Sequence, residues 1–255
     1  MRATALRFEA IAGLPMVRAG DDLAQLIGSA ADAAGIRFES GDILVVAQKI
    51  VSKSEGRLVK LSDVTPSQEA IALAKETEKD PRLVELVLRE STDVLRKKPG
   101  VIIVRHRLGL VGAQAGIDQS NVEHDDGENA LLLPVDPDAS ARRLRAALEQ
   151  RTGVSLGIII SDSMNRPWRL GTIGGAIGCA GLMVLDDRRG KHDIYGRELK
   201  VTLINRADSI ASAAVLVMGE TIERTPVALV RGFPPDESAQ TARDAIRPLD
   251  EDMFS

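Results

Sequence analysis

Between residues 157 and 169 the chain reads Gly-Ile-Ile-Ile-Ser-Asp-Ser-Met-Asn-Arg-Pro-Trp-Arg, and this stretch constrains the fold more than any other. Its first four residues are apolar and rich in β-branched side chains, which predicts a buried strand. That strand delivers Ser161, Asp162 and Ser163 at its C-terminal end, with Asn165, Arg166 and Arg169 beyond. A carboxylate and two hydroxyls are hard oxygen donors of the kind Mg²⁺ or Mn²⁺ accepts beside phosphate oxygens. Arginines, for their part, grip phosphate or carboxylate through paired hydrogen bonds. A strand followed by an ordinary polar turn explains the same residue types, so the stretch alone leaves both readings open. Gly171-Thr-Ile-Gly-Gly-Ala-Ile-Gly178 follows, a loop or tightly packed run of small residues.

The remaining chain narrows the class. With 255 residues, 44% of them hydrophobic and 27% charged, it can bury a sizeable core as one large domain or two lobes. Aromatic residues make up 2% and the net charge is −4, which argues against base stacking and against a broad phosphate-tracking surface. Nucleic acid is therefore not an expected partner, while a local basic pocket remains open. Cys179 is the single cysteine, so no intramolecular disulfide forms, and its Gly and Ala neighbours favour a buried thiol over a nucleophile. The N-terminus lacks a signal-peptide layout, and no apolar run approaches the roughly 18 residues of a membrane span. A cytoplasmic protein without a membrane partner is expected.

Strands are expected over residues 4–12, 43–47, 101–104, 157–160, 200–204 and 226–230, with a short apolar run over 131–135. Helices are expected from Asp21 or Asp22 to Ala34, over 66–79, from Pro81 to about Arg96, and over 141–150 and 207–218. Residues 174–185 suit a helix packed closely on a sheet, followed by a strand. Residues 48–56 hold Lys49, Ser52 and Lys53, which can meet phosphates; a strand edge with solvated lysines is the simpler account, and no Walker A loop is present. Asp118 is a possible metal ligand and Asn121 a hydrogen-bonding group, whereas His106 more plausibly packs than catalyses. Residues 123–129 read as a solvated acidic loop. No GxGxxG supports a Rossmann domain. The residues themselves reach an α/β or α+β protein whose acids, lysines and arginines at strand ends suggest a metal–phosphate site.

Several collinear motifs carry a resemblance. Gly13-Leu-Pro, the run from Gly41 to Gly56, Ala115-Gly-Ile-Asp-Gln-Ser-Asn-Val122, Ile160-Ser-Asp-Ser-Met-Asn-Arg166, Asp193-Ile-Tyr-Gly196, Met218-Gly-Glu220 and Thr225-Pro-Val-Ala-Leu-Val-Arg-Gly232 resemble the coenzyme F420-0:L-glutamate ligase family. The resemblance implies an α+β fold of that family's own type, built as one domain over 1–255 or as two interleaved lobes, in an intertwined homodimer. A polar tail over about 234–255 has no assigned role. It also implies the stand-alone form, without the nitroreductase-like flavin domain that some bacterial relatives carry at the C-terminus.

The implied activity is GTP-dependent addition of L-glutamate to coenzyme F420-0 through an acyl phosphate, and the implied substrates are GTP, L-glutamate and F420-0. By position, the resemblance puts Leu14, Pro15, Met16 and Val17 in a nucleotide-binding loop and Gln48, Lys53 and Asn121 on GTP. Met218, Gly219, Glu220, Thr221, Ile222, Glu223, Arg224 and Thr225 form a further nucleotide-binding segment. Asp118, Asp162, Ser163 and Glu220 become ligands of two divalent ions, Mg²⁺ or Mn²⁺, with room for K⁺, and the first three form the catalytic set. Arg166, Arg169 and Tyr195 are candidate substrate or phosphate contacts from the residues alone. A ligase of the same architecture acting on another phosphorylated acid, or a nucleotide-binding regulator without turnover, would use the same ligand set.

Overall fold

The computed structural model describes residues 5–124, 127–165 and 169–253. The chain opens with strand β1 (Arg7–Ala10) and helix α1 (Leu23–Ala33), whose first turn is capped where Asp22 accepts the Gln25 N–H at 3.0 Å. Strand β2 (Ile43–Ala47) runs directly into the short helix α2 (Gln48–Ser54), so the expected strand edge over 48–56 is a helix. Its lysines therefore leave from the end of a buried strand rather than from a sheet margin. After β3 (Leu58–Lys60) come α3 (Gln68–Thr77) and α4 (Pro81–Arg89), with Asp80 capping α4 and Pro81 opening it.

Helix α4 stops at Arg89, short of the expected Arg96, and β4 (Ser91–Lys98) takes over. This strand pairs across the Pro99-Gly100 turn with β5 (Val101–His106), which in turn pairs with β6 (Val111–Ala113). Here long-range pairing overrides local helix preference. Strand β7 (Asn129–Leu131) pairs with β3, and α5 (Pro137–Thr152) follows with Asp136 as its cap.

Strand β8 (Gly157–Asn165) and strand β9 (Thr172–Ala180) form an antiparallel pair; the helix expected within residues 174–185 is thus a strand. Its pairing with β8 decides the choice, and its glycines serve the packing on the sheet. A Cβ added at Gly174 would meet the Ala211 carbonyl oxygen at 2.4 Å, and one at Gly178 the Pro137 carbonyl oxygen at the same distance. Bare backbone there lets helices approach the sheet closely. Strands β10 (Leu185–Asp187) and β11 (Leu203–Asn205) pair with each other, then come α6 (Arg206–Met218) and β12 (Val227–Arg231).

Among the described residues, a five-stranded mixed sheet has the order β1-β12-β2-β8-β9, with β2 and β8 parallel and the other neighbours antiparallel. Both faces are covered. Leu44, Val46, Ile158 and Ile160 pack with α1 and α5, while Ile43, Val45 and Ile159 pack with α6. That period-two division is why the apolar runs are uninterrupted. A further cluster joins α3 and α4 to Ile102 and Val104 of β5.

Residues 234–253 lie against the body: Gln240 Oε1 accepts the Val184 and Leu185 amides, and buried Asp138 accepts those of Cys179 and Ala242. Cys179 is fully buried, and burial raises its thiol well above the usual range. His106 is also buried, with Nδ1 accepting the Leu108 N–H at 2.9 Å and Nε2 facing Glu90 Oε2 at 3.4 Å, away from the cleft-lining residues. No helix among the described residues is long and apolar enough to cross a membrane.

Candidate functional site

Strands β2 and β8 run parallel in a register that sets Ala47 opposite Ser161. Both apolar runs end there, so Gln48 and Lys49 leave β2 beside Asp162 and Ser163, which lie within β8 just past its pairing with β2 and stay paired with β9. In open α/β sheets, ligands sit outside the carboxyl ends of parallel strands, and a cleft of about 520 Å³ opens at this point. Its walls come from the N-terminal loop Leu14, Pro15, Met16 and Val17, from Gln48, Lys49 and Lys53 of α2, and from Asn121. Asp162 and Ser163 close one side, and most of the segment from Met218 to Thr225 closes the other. Ile222 of that segment points elsewhere and is exposed.

Asp118 sits behind the wall. A backbone bridge to Leu131 pins it, with Asp118 N–H donating to the Leu131 carbonyl at 3.0 Å and the reverse bond at 2.8 Å. The turn before it, Gln114-Ala115-Gly116, is left-handed throughout, with φ of 53°, 55° and 66°. Lys49 Nζ lies 2.7 Å from Asp118 Oδ2. That oxygen is buried and lacks an aligned hydrogen bond, so Lys49 compensates its charge without satisfying it.

The other ligand candidates are linked in pairs. Ser163 Oγ donates to Glu220 Oε2 at 2.5 Å, and Ser163 N–H donates to Asp162 Oδ1 at 2.8 Å. Lys53 Nζ donates to the Asn121 carbonyl at 2.8 Å, and Asn121 Nδ2 to the Thr221 carbonyl at 3.2 Å. Asn121 thereby ties two walls together from a left-handed backbone, φ 55°. Thr225 Oγ1 donates to the Met218 carbonyl at 2.6 Å and closes the base of the 218–225 segment.

The electrostatics follow from crowding of like charge. Burial, and then the Asp118 and Glu220 carboxylates, push Asp162 up to about 7 against the pull of Lys49. Burial and Glu220 likewise raise Asp118, opposed by Lys49 and Lys53. Burial, with the Lys49 charge, lowers Lys53 against Glu123 and Asp118. Three carboxylates that repel each other at a partly dry cleft are short of positive charge. Among the described residues, no three His, Cys, Asp or Glu side chains already stand as a metal cage. Asp118, Asp162 and Glu220 are electrostatic neighbours rather than a finished coordination sphere. Hard oxygens, an unsatisfied buried carboxylate oxygen and raised acids together fit a divalent cation.

The structure brings the widely spaced candidates together, except Ile222. Arg169 is exposed and, like the exposed Tyr195, does not line the cleft, while Arg166 lies outside the described residues. Sequence reasoning named Lys49 but preferred a solvated strand edge for it, and it passed over Arg18. The signal for Lys49 was its place directly after a buried strand; for Arg18, its adjacency to the Leu14–Val17 loop.

The fold and cleft define a mixed α/β protein with an oxygen-rich, charge-bearing site. Residues 13–232 match the F420-0:Gamma-glutamyl ligase family, and the chain belongs to that family. It is 46% identical to the coenzyme F420:L-glutamate ligase of Methanopyrus kandleri, over 98% of this chain and 97% of the relative. The enzyme of that name from Methanothermobacter thermautotrophicus is 45% identical over 96% of each chain. That from Archaeoglobus fulgidus is 44% identical over 88% of this chain and 86% of the relative.

Proposed function

We propose that the protein joins L-glutamate to the side-chain carboxylate of coenzyme F420-0 at the expense of GTP. The observation that carries this reading is the meeting of Asp118, Asp162 and Glu220 with Lys49 and Lys53 at one cleft, in a chain of this family. A carboxylate does not acylate an amine at neutral pH, whereas an acyl phosphate does. The substrate carboxylate attacks the γ-phosphorus of GTP and GDP leaves. The glutamate amine then attacks the acyl carbon, phosphate departs, and the amine loses its proton.

Asp118, Asp162, Ser163 and Glu220 would hold divalent Mg²⁺ or Mn²⁺, which would neutralise phosphate charge; a K⁺ ion beside them belongs to the same proposal. Lys53 and Lys49 lie where they can donate to phosphate oxygens. Each ammonium has three donors, so Lys53 can serve a phosphate while keeping the Asn121 carbonyl. The Leu14–Val17 loop, Gln48, Asn121 and the 218–225 segment enclose the nucleotide and exclude water from the acyl phosphate, which water would otherwise hydrolyse. The proposal includes a homodimer. Exposed Ile194, Tyr195 and Val201, between β10 and β11, offer it apolar surface, and sedimentation of the intact protein as a monomer would refute that part.

The test is the mass of the product formed from F420-0, L-glutamate, GTP and Mg²⁺, with each component omitted in turn. A product heavier by glutamyl units only in the complete mixture supports the reading. Its absence there refutes it.

A further inference from the structure

We propose that Ser161 donates a hydrogen bond to the acyl oxygen of the substrate carboxyl group while the amide forms; the inference rests on the ligase reading. Ser161 lies within β8, is 7% exposed and lines the cleft. Buried polar side chains are nearly always hydrogen-bonded, so an exception calls for a cause. Each of the other buried polar residues among those described makes at least one side-chain hydrogen bond, such as Gln48 to Ser52 and Ser140 to the Asp136 carbonyl. The Ser161 hydroxyl makes none among the described residues.

The sheet itself keeps that hydroxyl free. Ser161 stands opposite Ala47 on β2 and Ala176 on β9, and neither methyl group can bond it. The alanine on β9 is there because of a bulge. Ile160 pairs with Gly178 and Ser161 with Ala176, so Ile177 is the extra residue and its bulk is withdrawn from the place across from Ser161. Alternation along β8 puts Ser161 on the α6 side of the sheet with Ile159, Ala47 and Ala176. Ser163, on the same face, follows one pleat repeat, roughly 7 Å, further along. Val215 and Met218 of α6 also line the cleft. The result is a corner with apolar sides, space beside small residues, and one hydrogen-bond donor.

A single neutral donor among methyl groups is poorly matched to a triphosphate, whose charge the proposed cations and the two lysines meet. It suits an oxygen that becomes charged only during the reaction. In the amide-forming step the glutamate amine gives its lone pair to the acyl carbon, and the C=O π pair moves onto the acyl oxygen. The Ser161 Oγ–H meets that oxyanion and keeps its own proton. The pair then returns, the bond from carbon to the phosphate oxygen breaks, and phosphate leaves with the bonding electrons and takes up the amine proton. Ser163 Oγ meets Glu220 on the same face of β8, so one strand sets the proposed cation ligands and the acyl group side by side.

The experiment follows a single turnover with GTP, Mg²⁺, F420-0 and L-glutamate in the intact enzyme, in Ser161→Ala and in Ser161→Cys, timing GDP and glutamyl product separately. Alanine removes the donor, and cysteine keeps the shape with a weak one. Both variants are expected to slow product formation by about a hundredfold, the scale of a lost oxyanion donor. GDP formation, the melting temperature and the calorimetric affinity for Mn²⁺ without nucleotide should hold, since no protein hydrogen bond and no cation ligand is lost. A product rate within about twofold of the parent in either variant overturns the inference while the ligase reading stands. So does a loss shared equally by GDP formation, or weakened Mn²⁺ binding, which would make Ser161 a phosphoryl or cation contact instead. An intact enzyme that makes no glutamyl product overturns the ligase reading, and this inference with it.

Discussion

The Lys49 ammonium stands 2.7 Å from Asp118 Oδ2, an oxygen that is buried and has no aligned hydrogen bond. Lys49 thus compensates the charge of a carboxylate that a divalent cation would otherwise claim. Lys49→Met is expected to lower the stability of the metal-free protein by about 1–2 kcal/mol, since the pair is mostly but not wholly buried. Added Mg²⁺ should narrow the gap between variant and parent in a thermal-melting experiment. Equal melting of the two metal-free proteins would contradict this role.

Asp162 sets a pH dependence whose sign is fixed. Its acid is raised from 3.8 to about 7 in the folded protein, so folding favours its protonated form. The stability it contributes is present below the ordinary value of 3.8 and is lost as pH rises to about 7, beyond which it is flat. Denaturation of the metal-free protein should therefore give lower stability at about pH 8 than at about pH 5 from this group, and Asp162→Asn should flatten the difference. Divalent-ion binding should release protons below about pH 7 and strengthen as pH approaches it. A calorimetric titration in two buffers of different ionisation enthalpy reads that release directly.

Gly174 and Gly178 test the close approach of helix to sheet. Replacement of either by alanine places a Cβ 2.4 Å from a carbonyl oxygen, of Ala211 or Pro137 respectively. Neither helix backbone can yield cheaply. Each substitution should cost about 1–3 kcal/mol in chemical denaturation, and a neutral result would mean that α5 and α6 do not sit so near.

The same glycines mark where the sequence misled. A run of small apolar residues reads equally as a helix packed on a sheet or as the sheet itself, and only the pairing of β9 with β8 decides. Residues 91–98 failed for the same reason, because their partner strand lies beyond a turn. The α2 lysines looked like an exposed edge because no local signal reveals that β2 runs parallel to β8. By contrast β2, the start of β8, and the caps Asp22 and Asp80 were legible, since uninterrupted β-branched runs and N-cap residues act locally. Asp162 and Ser163 stood out because a carboxylate and hydroxyls directly follow a buried apolar run, although a plain polar turn would read the same. Asp118 was named from the residues only as a possible ligand, and its grouping with Glu220 came from the family resemblance, as nothing within the chain announces a contact across a hundred residues.

Asp138 anchors the C-terminal segment. Buried, it accepts the Cys179 N–H at 2.8 Å and the Ala242 N–H at 2.9 Å, joining β9 to residues past the last strand. Asp138→Ala should cost about 2–4 kcal/mol by leaving two donors unpaired. Hydrogen exchange should then accelerate in residues 236–245 first. Uniform exchange across the chain would contradict the anchoring.

The central claim is that the carboxylates gathered where β2 ends beside β8 perform the chemistry of the cleft. Asp162→Asn is nearly isosteric and removes one charge from that cluster. The decisive measurement is the initial rate of glutamyl-product formation by this variant, read by mass and paired with its circular dichroism spectrum. The expected result is a native spectrum with the rate reduced by about a hundredfold or more, the scale of losing a metal-binding carboxylate. A native spectrum with a rate within about twofold of the parent would contradict it.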